Sequence, residues 1–181
     1  MPNWREEASE LLEVARYKPL RILVWGPGHP GGNAAADKLK LYNKRVQIKT
    51  VLRAQFPHST VFMSEDQEMQ ELVRGIKGKL LQEAFQARTA DLVLMLDTSG
   101  GVHLELDHFV PTYPWFRHKT YVLLPEEHVP PKGLAAEVFN YLTPDHVIGF
   151  SQAEFDNCTV VTQKAVNIAT TVAVDQLLRE K

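Results

Sequence analysis

The sequence has few of the features that mark specialised classes of protein. It contains a single cysteine, Cys158, among 181 residues, which excludes an internal disulfide framework and is typical of a reducing compartment. No apolar run approaches the roughly 18 residues needed to cross a bilayer, and glutamates occupy the first helical segment where a signal peptide would be basic. No cluster of Lys and Arg is of the kind that follows a phosphate backbone. These absences predict a cytoplasmic protein whose partners include neither a membrane nor a nucleic acid polymer.

The amino-acid composition of the chain is that of an ordinary globular protein. Hydrophobic residues make up 44 % of the chain, charged residues 23 %, and the formal net charge is -2. A chain of this length buries one sizeable core and is short for two. We therefore predict a single domain over residues 1–181, with residues 1–18 forming an N-terminal helix packed on it.

Short apolar runs alternate with longer segments of helical periodicity along the chain. The predicted strands cover residues 20–25, 90–97, 120–125 and 146–150, and residues 59–66 form a further strand that runs into an acidic loop at residues 64–66. The predicted helices after the first cover residues 36–56, 68–89, with a loosening at Gly75 and Gly78, 134–142 and 161–178. Such alternation is typical of right-handed crossovers between parallel strands. It predicts a three-layer α/β fold of the flavodoxin-like or Rossmann-like type with a five-stranded parallel sheet. Ligands of such sheets bind at the carboxyl ends of the strands.

The first predicted strand runs into a glycine-rich loop, V-W-G-P-G-H-P-G-G, over residues 24–32. The spacing of Gly26, Gly28 and Gly31 matches the G-x-G-x-x-G pattern of dinucleotide-binding proteins. However, Pro27 and Pro30 lack the N–H groups that would face a pyrophosphate, and the next acidic pair comes more than thirty residues later. A loop that binds another anion or a sugar and a purely structural turn therefore both remain open.

The third predicted strand ends in a second small-residue loop, L-D-T-S-G-G-V-H-L-E-L, over residues 96–106. Hydroxyl groups and backbone N–H groups at the end of a strand can bind a phosphate or a sugar. If a helix begins near Val102, Glu105 lies in its first turn, where the helix dipole favours an ionised carboxylate. Glu105 is then either a functional carboxylate facing the pocket or an ordinary solvent-exposed first-turn glutamate.

Taken together, these motifs resemble the nucleoside 2-deoxyribosyltransferase superfamily, and most closely its 2'-deoxynucleoside 5'-phosphate N-hydrolase branch. The resemblance rests on the first glycine loop, the A-D pair at Ala90 and Asp91, and the G-V-x-x-E segment that ends at Glu105. It spans roughly residues 20–125. The sequence departs from the family at Leu23, where a tyrosine is usual, and at Glu83, where an aspartate is usual.

The resemblance implies that the protein cleaves or exchanges an N-glycosidic bond with Glu105 as nucleophile. Asp97 or Glu83 would protonate the leaving base or orient Glu105. The substrate, a nucleoside or nucleotide, would be bound by two groups of loop residues, namely Gly26, Pro27, Gly28, Gly31 and Gly32 in the first loop and Ser99, Gly100 and Gly101 in the second. No cofactor and no metal are implied, and a homo-oligomer is expected because family members often complete their sites from a partner subunit.

Other interpretations remain open from the sequence alone. A non-catalytic nucleotide-binding or signal-sensing module could use the same loops, and TIR-like NAD-cleaving domains share the layout and a single glutamate. His103 and Asp107 share a helical face, but two residues do not make a metal site. The aromatic stretch at residues 113–116 could be a lid, a subunit contact or a small core of its own.

Overall fold

The fold is described from a computed structural model of the chain. The structure describes residues 3–31, 36–96, 100–129, 140–157 and 159–180, and for residues 100–105 it describes the backbone alone. The strands are β1 (Arg21–Trp25), β2 (Thr60–Phe62), β3 (Leu92–Leu96), β4 (Thr120–Pro125) and β5 (Val147–Phe150). The helices are α1 (Trp4–Tyr17), α2 (Ala36–Gln55), α3 (Gln67–Leu72), α4 (Lys79–Thr89), α5 (Gly100–Thr112), α6 (Pro114–Arg117), α7 (Gln152–Asp156) and α8 (Val160–Arg179).

The five strands form one fully parallel sheet in the order β2-β1-β3-β4-β5. This confirms the predicted α/β class and the five-stranded parallel sheet. The chain leaves β1 for one edge of the sheet and then returns past β1 to β3. The direction of winding therefore reverses between β1 and β3, and the crevice at their carboxyl ends is the expected ligand position in folds of this type.

Alternate side chains of each strand enter two separate cores, because successive residues of a strand point to opposite faces. On one face, Ile22 and Val24 pack with residues of α2 and α8. On the other face, Leu23 and Trp25 pack with residues of α4, α5 and α6. All five residues of β3 are buried, as expected for a central strand covered on both sides.

Several predicted boundaries change in the structure for identifiable reasons. The helix predicted over residues 68–89 is divided into α3 and α4 where a loosening was expected, since Gly78 before α4 has a φ of +95°, a left-handed conformation that a helix does not contain. β2 ends at Phe62, and the acidic loop predicted after it forms a turn in which a carboxylate oxygen of Asp66 accepts a hydrogen bond from the Met63 N–H at 2.7 Å. Most of the helix predicted over residues 134–142 lies outside the described residues.

The N-terminal helix and the aromatic stretch both pack against the domain. α1 lies against α8 and buries Ala15, but Trp4 at its start is 69 % exposed, so the buried stripe is narrower than its periodicity predicts. The aromatic stretch forms α6, whose Phe116 is fully buried between Trp25 and Phe109. It therefore belongs to one of the two main cores.

Candidate functional site

A cleft of about 550 Å³ opens at the carboxyl ends of β1 and β2. Its first wall is the glycine loop, represented by Gly26, Gly28 and His29, and the turn after β2 adds Ser64. The opposite wall is one side of α4, which contributes residues at helical spacing, namely Lys79, Gln82, Glu83 and Gln86. The volume is in the range of small-molecule sites.

Glu83 brings a largely buried carboxylate to this cleft. Its side chain is only 10 % exposed, and its recorded partner is the ammonium group of Lys79, 3.3 Å away. Lys79 is itself 83 % exposed, so its charge is screened by water and the pairing is weak. Within the part of the chain that the structure describes, this exposed ammonium group is the one charged partner of Glu83, so a ligand in the cleft can supply a donor to the carboxylate.

Gln86, one helical turn after Glu83, has an incomplete set of hydrogen bonds. Its side chain is buried, and its Nε2 donates to the backbone carbonyls of Ser64, at 3.1 Å, and Met69, at 3.4 Å. Because both partners accept, the amide nitrogen faces them and the orientation of the side chain is fixed. Among the residues that the structure describes, its Oε1 has no hydrogen-bond partner.

The guanidinium group of Arg45, in α2, hydrogen-bonds both the end of β1 and the glycine loop. Its Nε and Nη2 donate to the carbonyl of Val24 at 3.0 and 2.9 Å, and its Nη1 donates to the carbonyl of Pro27 at 3.3 Å. Both Nη atoms also bind the two carboxylate oxygens of Glu65 at 2.8 Å. Arg45 is 1 % exposed. It therefore ties the end of β1, the glycine loop and the turn after β2 into one rigid unit.

Gly26 is required by the conformation and the packing of the loop. Its φ is +155°, and a Cβ atom there would come within 3.2 Å of the Leu96 carbonyl oxygen and 3.3 Å of the Arg45 Cδ. Gly28 has no such neighbours within 4 Å. The loop therefore approaches the end of β3 closely at Gly26 and is open at Gly28.

We expect Gly26→Ala to lower the free energy of unfolding by about 1–3 kcal/mol, since it combines backbone strain with two close contacts. Gly28→Ala is the matched control and should change stability little. Urea denaturation of the three proteins measures the difference. Equal midpoints for the two variants would contradict the assigned role of Gly26.

The structure gives no support to the dinucleotide interpretation of the glycine loop. Glu65 and Asp66, the carboxylates available for a ribose hydroxyl, are both engaged, Glu65 with Arg45 and Asp66 with Lys49 at 2.6 Å. In the dinucleotide fingerprint the third glycine packs in the first turn of the helix. Here Gly31 has a φ of +79°, a left-handed conformation that a helix does not contain.

The predicted site residues divide into four groups. Gly26, Gly28 and Glu83 meet at the cleft, whereas Pro27 directs its carbonyl at Arg45 and Gly31 lies further along the exposed loop with a φ of +79°. Gly32, Asp97 and Ser99 lie outside the described residues, as does the side chain of Glu105. Gly100 and Gly101 form the first residues of α5.

The prediction that Glu105 occupies the first turn of a helix is wrong. α5 begins at Gly100 rather than near Val102, so Glu105 falls in the second turn. The two glycines are helical despite their low propensity, and they place the N-terminus of α5 directly after β3. The effect of the helix dipole on Glu105 is correspondingly smaller, since it fades beyond the first turn.

Sequence analysis missed Arg45 and Gln86. Arg45 lies in a helix whose basic residues suggest a solvated face, and nothing local indicates that its charge is buried against Glu65, twenty residues away. Gln86 could have been found from the sequence, because it follows Glu83 by three residues and therefore lies on the same face of the helix.

A larger cleft, of about 680 Å³, lies at the opposite, amino-terminal end of the strands. Its charged groups are already engaged with the protein. Lys119 donates to the carbonyls of Ala90 and Arg88 at 2.6 and 3.1 Å, and burial together with the charge of Arg88 lowers the pKa of Lys119 to about 8. Arg179 pairs with Asp175 at 2.9 Å. The smaller cleft is the candidate site, because it lies at the carboxyl ends of the strands, where folds of this type bind their ligands.

Within the described residues, no three His, Cys, Asp or Glu side chains are grouped so that they could hold a metal ion. No helix in that part of the chain is long and apolar enough to cross a membrane. No protein-family model matches the sequence, and no curated protein matches it significantly.

Proposed function

We propose that the protein binds a nucleoside or nucleotide in the cleft at the carboxyl ends of β1 and β2 and cleaves its N-glycosidic bond, by hydrolysis or by base transfer. The observation that carries the proposal is the buried carboxylate of Glu83 facing Gly26 and Gly28 across this cleft. The neighbouring strand β3 leads directly into α5, which contains Glu105. The family that the sequence resembles uses the matching three segments in this chemistry, namely the glycine loop, the segment around Glu83 and the segment that ends at Glu105.

Cleavage of an N-glycosidic bond passes through a centre of oxocarbenium character at C1' of the sugar. In the proposed reaction the carboxylate of Glu105 forms a bond to C1' as the bond from C1' to the base nitrogen breaks, and the base leaves with the electron pair of that bond. The carboxylic acid of Glu83 donates a proton to the departing base. Water, or the nitrogen of a second base, then displaces Glu105 from C1' and loses its proton to the Glu83 carboxylate, which frees the sugar product and restores both glutamates.

The N-terminus of α5 supports the proposed binding of a nucleoside or nucleotide. The first N–H groups of a helix have no partner within the helix and attract anions. Gly100 and Gly101 occupy these positions, at the carboxyl end of the central strand. We assign them, with Ser99, to a 5'-phosphate or a sugar hydroxyl. The chemistry needs no cofactor.

The first test is chromatographic detection of free base after incubation with deoxynucleoside monophosphates, ribonucleotides, deoxynucleosides and NAD. We expect the wild-type protein to release base from one of these classes and Glu83→Gln to lower the rate by about 10²-fold, because the amide cannot supply a proton. Glu68→Gln, an exposed glutamate on α3 outside the cleft, is the control and should retain the wild-type rate.

Three results would contradict the proposal or reassign the protein. Intact recovery of every substrate, with one of them raising the melting temperature, would indicate a non-catalytic nucleotide-binding module. Release of nicotinamide from NAD alone would place the chemistry with the TIR-like enzymes. If Glu83→Gln releases base at the wild-type rate, Glu83 takes no part in the reaction.

A further inference from the structure

We propose that a second pocket, between α2 and α7, binds a small carboxylate that carries an apolar body. The pocket has a volume of about 310 Å³, at the lower end of the range for small-molecule sites. None of the described residues lines both this pocket and the cleft at the carboxyl ends of β1 and β2. The inference therefore does not depend on the proposed function. The observation that carries it is the side chain of Lys44.

Lys44 brings a positive charge to this pocket with little solvent around it. The residue is only 4 % exposed, and its ammonium nitrogen lies 5.2 Å from the centre of the Phe155 ring, which lines the same pocket. Within the part of the chain that the structure describes, this nitrogen has neither a hydrogen-bond acceptor nor an ion-pair partner. A lysine is seldom buried to this degree unless it is paired.

The ammonium group of Lys44 can nevertheless be reached from the pocket. Some polar side-chain atoms in the described ranges are both closed off from solvent and without a hydrogen bond, but Nζ of Lys44 is not one of them, so it retains accessible surface. The methylene groups are covered by protein and the charged end opens on the pocket, as is common for long basic side chains. The face of Phe155 attracts the charge but supplies no oxygen to accept its hydrogen bonds. A ligand oxygen can fill that place.

The neighbouring charges favour a ligand with a single negative charge. Lys40 also lies over Phe155, with its ammonium nitrogen 5.9 Å from the ring centre, and it forms an ion pair with Asp156. The hydrogen bond from Lys40 is the main reason that the pKa of the Asp156 carboxyl is lowered, and the charge of Lys44 adds to the effect without forming an ion pair. Two ammonium groups and one carboxylate leave one positive charge unbalanced.

The uncharged part of the lining determines the body of the ligand. Leu39 lines the pocket and is 44 % exposed there, and Ala36 and the Phe155 ring add further apolar surface. The side-chain amide of Asn43 also lines the pocket and can donate to the second oxygen of a carboxylate bound at Lys44. A phosphate group brings additional negative charge and no apolar surface, so it matches the pocket less well.

The test is a titration of the ¹⁵N-labelled protein with hexanoate and with benzoate, measured by the shifts of backbone amide resonances. We expect saturable shifts in α2 and α7, with a Kd of about 1 mM or below for at least one of the two acids. Hexanamide and benzamide have the same bodies without the charge and should bind about tenfold or more weakly, because hydrogen bonds between charged groups are the stronger ones. Inorganic phosphate, the third probe, should bind more weakly than the better acid.

Three variants identify the residues that hold the acid. Lys44→Met keeps an apolar stem and should lower the affinity by about tenfold or more. Lys38→Met, at an exposed lysine of α2 outside the pocket, is the matched control and should keep the wild-type affinity. Asp156→Asn removes the competing carboxylate from Lys40 and should raise the affinity by about threefold, a response that a purely structural lysine would not give.

Several results would overturn the inference. These are the absence of saturable shifts with both acids, equal affinity for the acids and their amides, tighter binding of phosphate, shifts confined to elements other than α2 and α7, and an unchanged affinity in Lys44→Met. The comparison of acids with amides uses the wild-type protein alone, so it remains decisive if a variant fails to fold.

Discussion

Replacing Glu105 with glutamine is expected to lower base release by roughly 10³-fold or more, because it removes the nucleophile of the proposed reaction and with it the covalent route. Glu105 lies in the second turn of α5, which follows directly from the central strand. β3 neighbours β1, whose glycine loop forms the first wall of the cleft. The same chromatographic assay measures the effect.

Two further variants separate a nucleophile from a structural glutamate. Asp107→Asn, at an exposed carboxylate two residues along the same helix, is the matched control and should retain activity. In Glu105→Ala, added formate should restore part of the rate, since it supplies a carboxylate in the vacated space. An active Glu105→Gln protein would assign the reaction to another residue, and equal losses in Glu105→Gln and Asp107→Asn would indicate a general effect on α5.

Replacing Arg45 with methionine is expected to cost about 3 kcal/mol of unfolding free energy. The variant fills a similar volume but leaves the carbonyls of Val24 and Pro27 without donors and Glu65 without its partner. Each unsatisfied buried carbonyl costs about 1–3 kcal/mol, whereas Glu65, whose side chain is 39 % exposed, is solvated by water when its partner is removed and adds little. Urea denaturation at neutral pH measures the loss.

Two further variants of this protein serve as controls for the Arg45→Met prediction. Glu65→Gln should cost less than Arg45→Met, since an amide oxygen can still accept from the guanidinium. Arg179→Met removes an exposed arginine paired with Asp175 and should cost no more than about 0.5 kcal/mol. A cost for Arg45→Met as small as that for Arg179→Met would show that the glycine loop keeps its position without the buried arginine.

The folding pattern was largely determined by local sequence. The apolar runs at β1, β3 and β4 are short, β-branched or leucine-rich, and bounded by breakers, so each defines a buried strand without reference to the rest of the chain. The helical periodicity of α2 and α8 is equally local. The loosening predicted at Gly78 divides α3 from α4, and the acidic loop predicted after β2 is a turn that Asp66 closes. The prediction failed at the start of α5, which begins at Gly100 rather than near Val102.

The site was determined only in part by the sequence. The glycine loop and Glu83 could be selected in advance because their residue types restrict the backbone and the chemistry. That they meet at one cleft follows from the reversal of strand order at β1, which places α4 and the glycine loop together at the carboxyl ends of the strands. The burial of Arg45 against Glu65 and the unmatched oxygen of Gln86 arise only after distant segments have packed. Burial and hydrogen-bond completion are properties of the whole fold, whereas periodicity and turn preference belong to a few neighbouring residues.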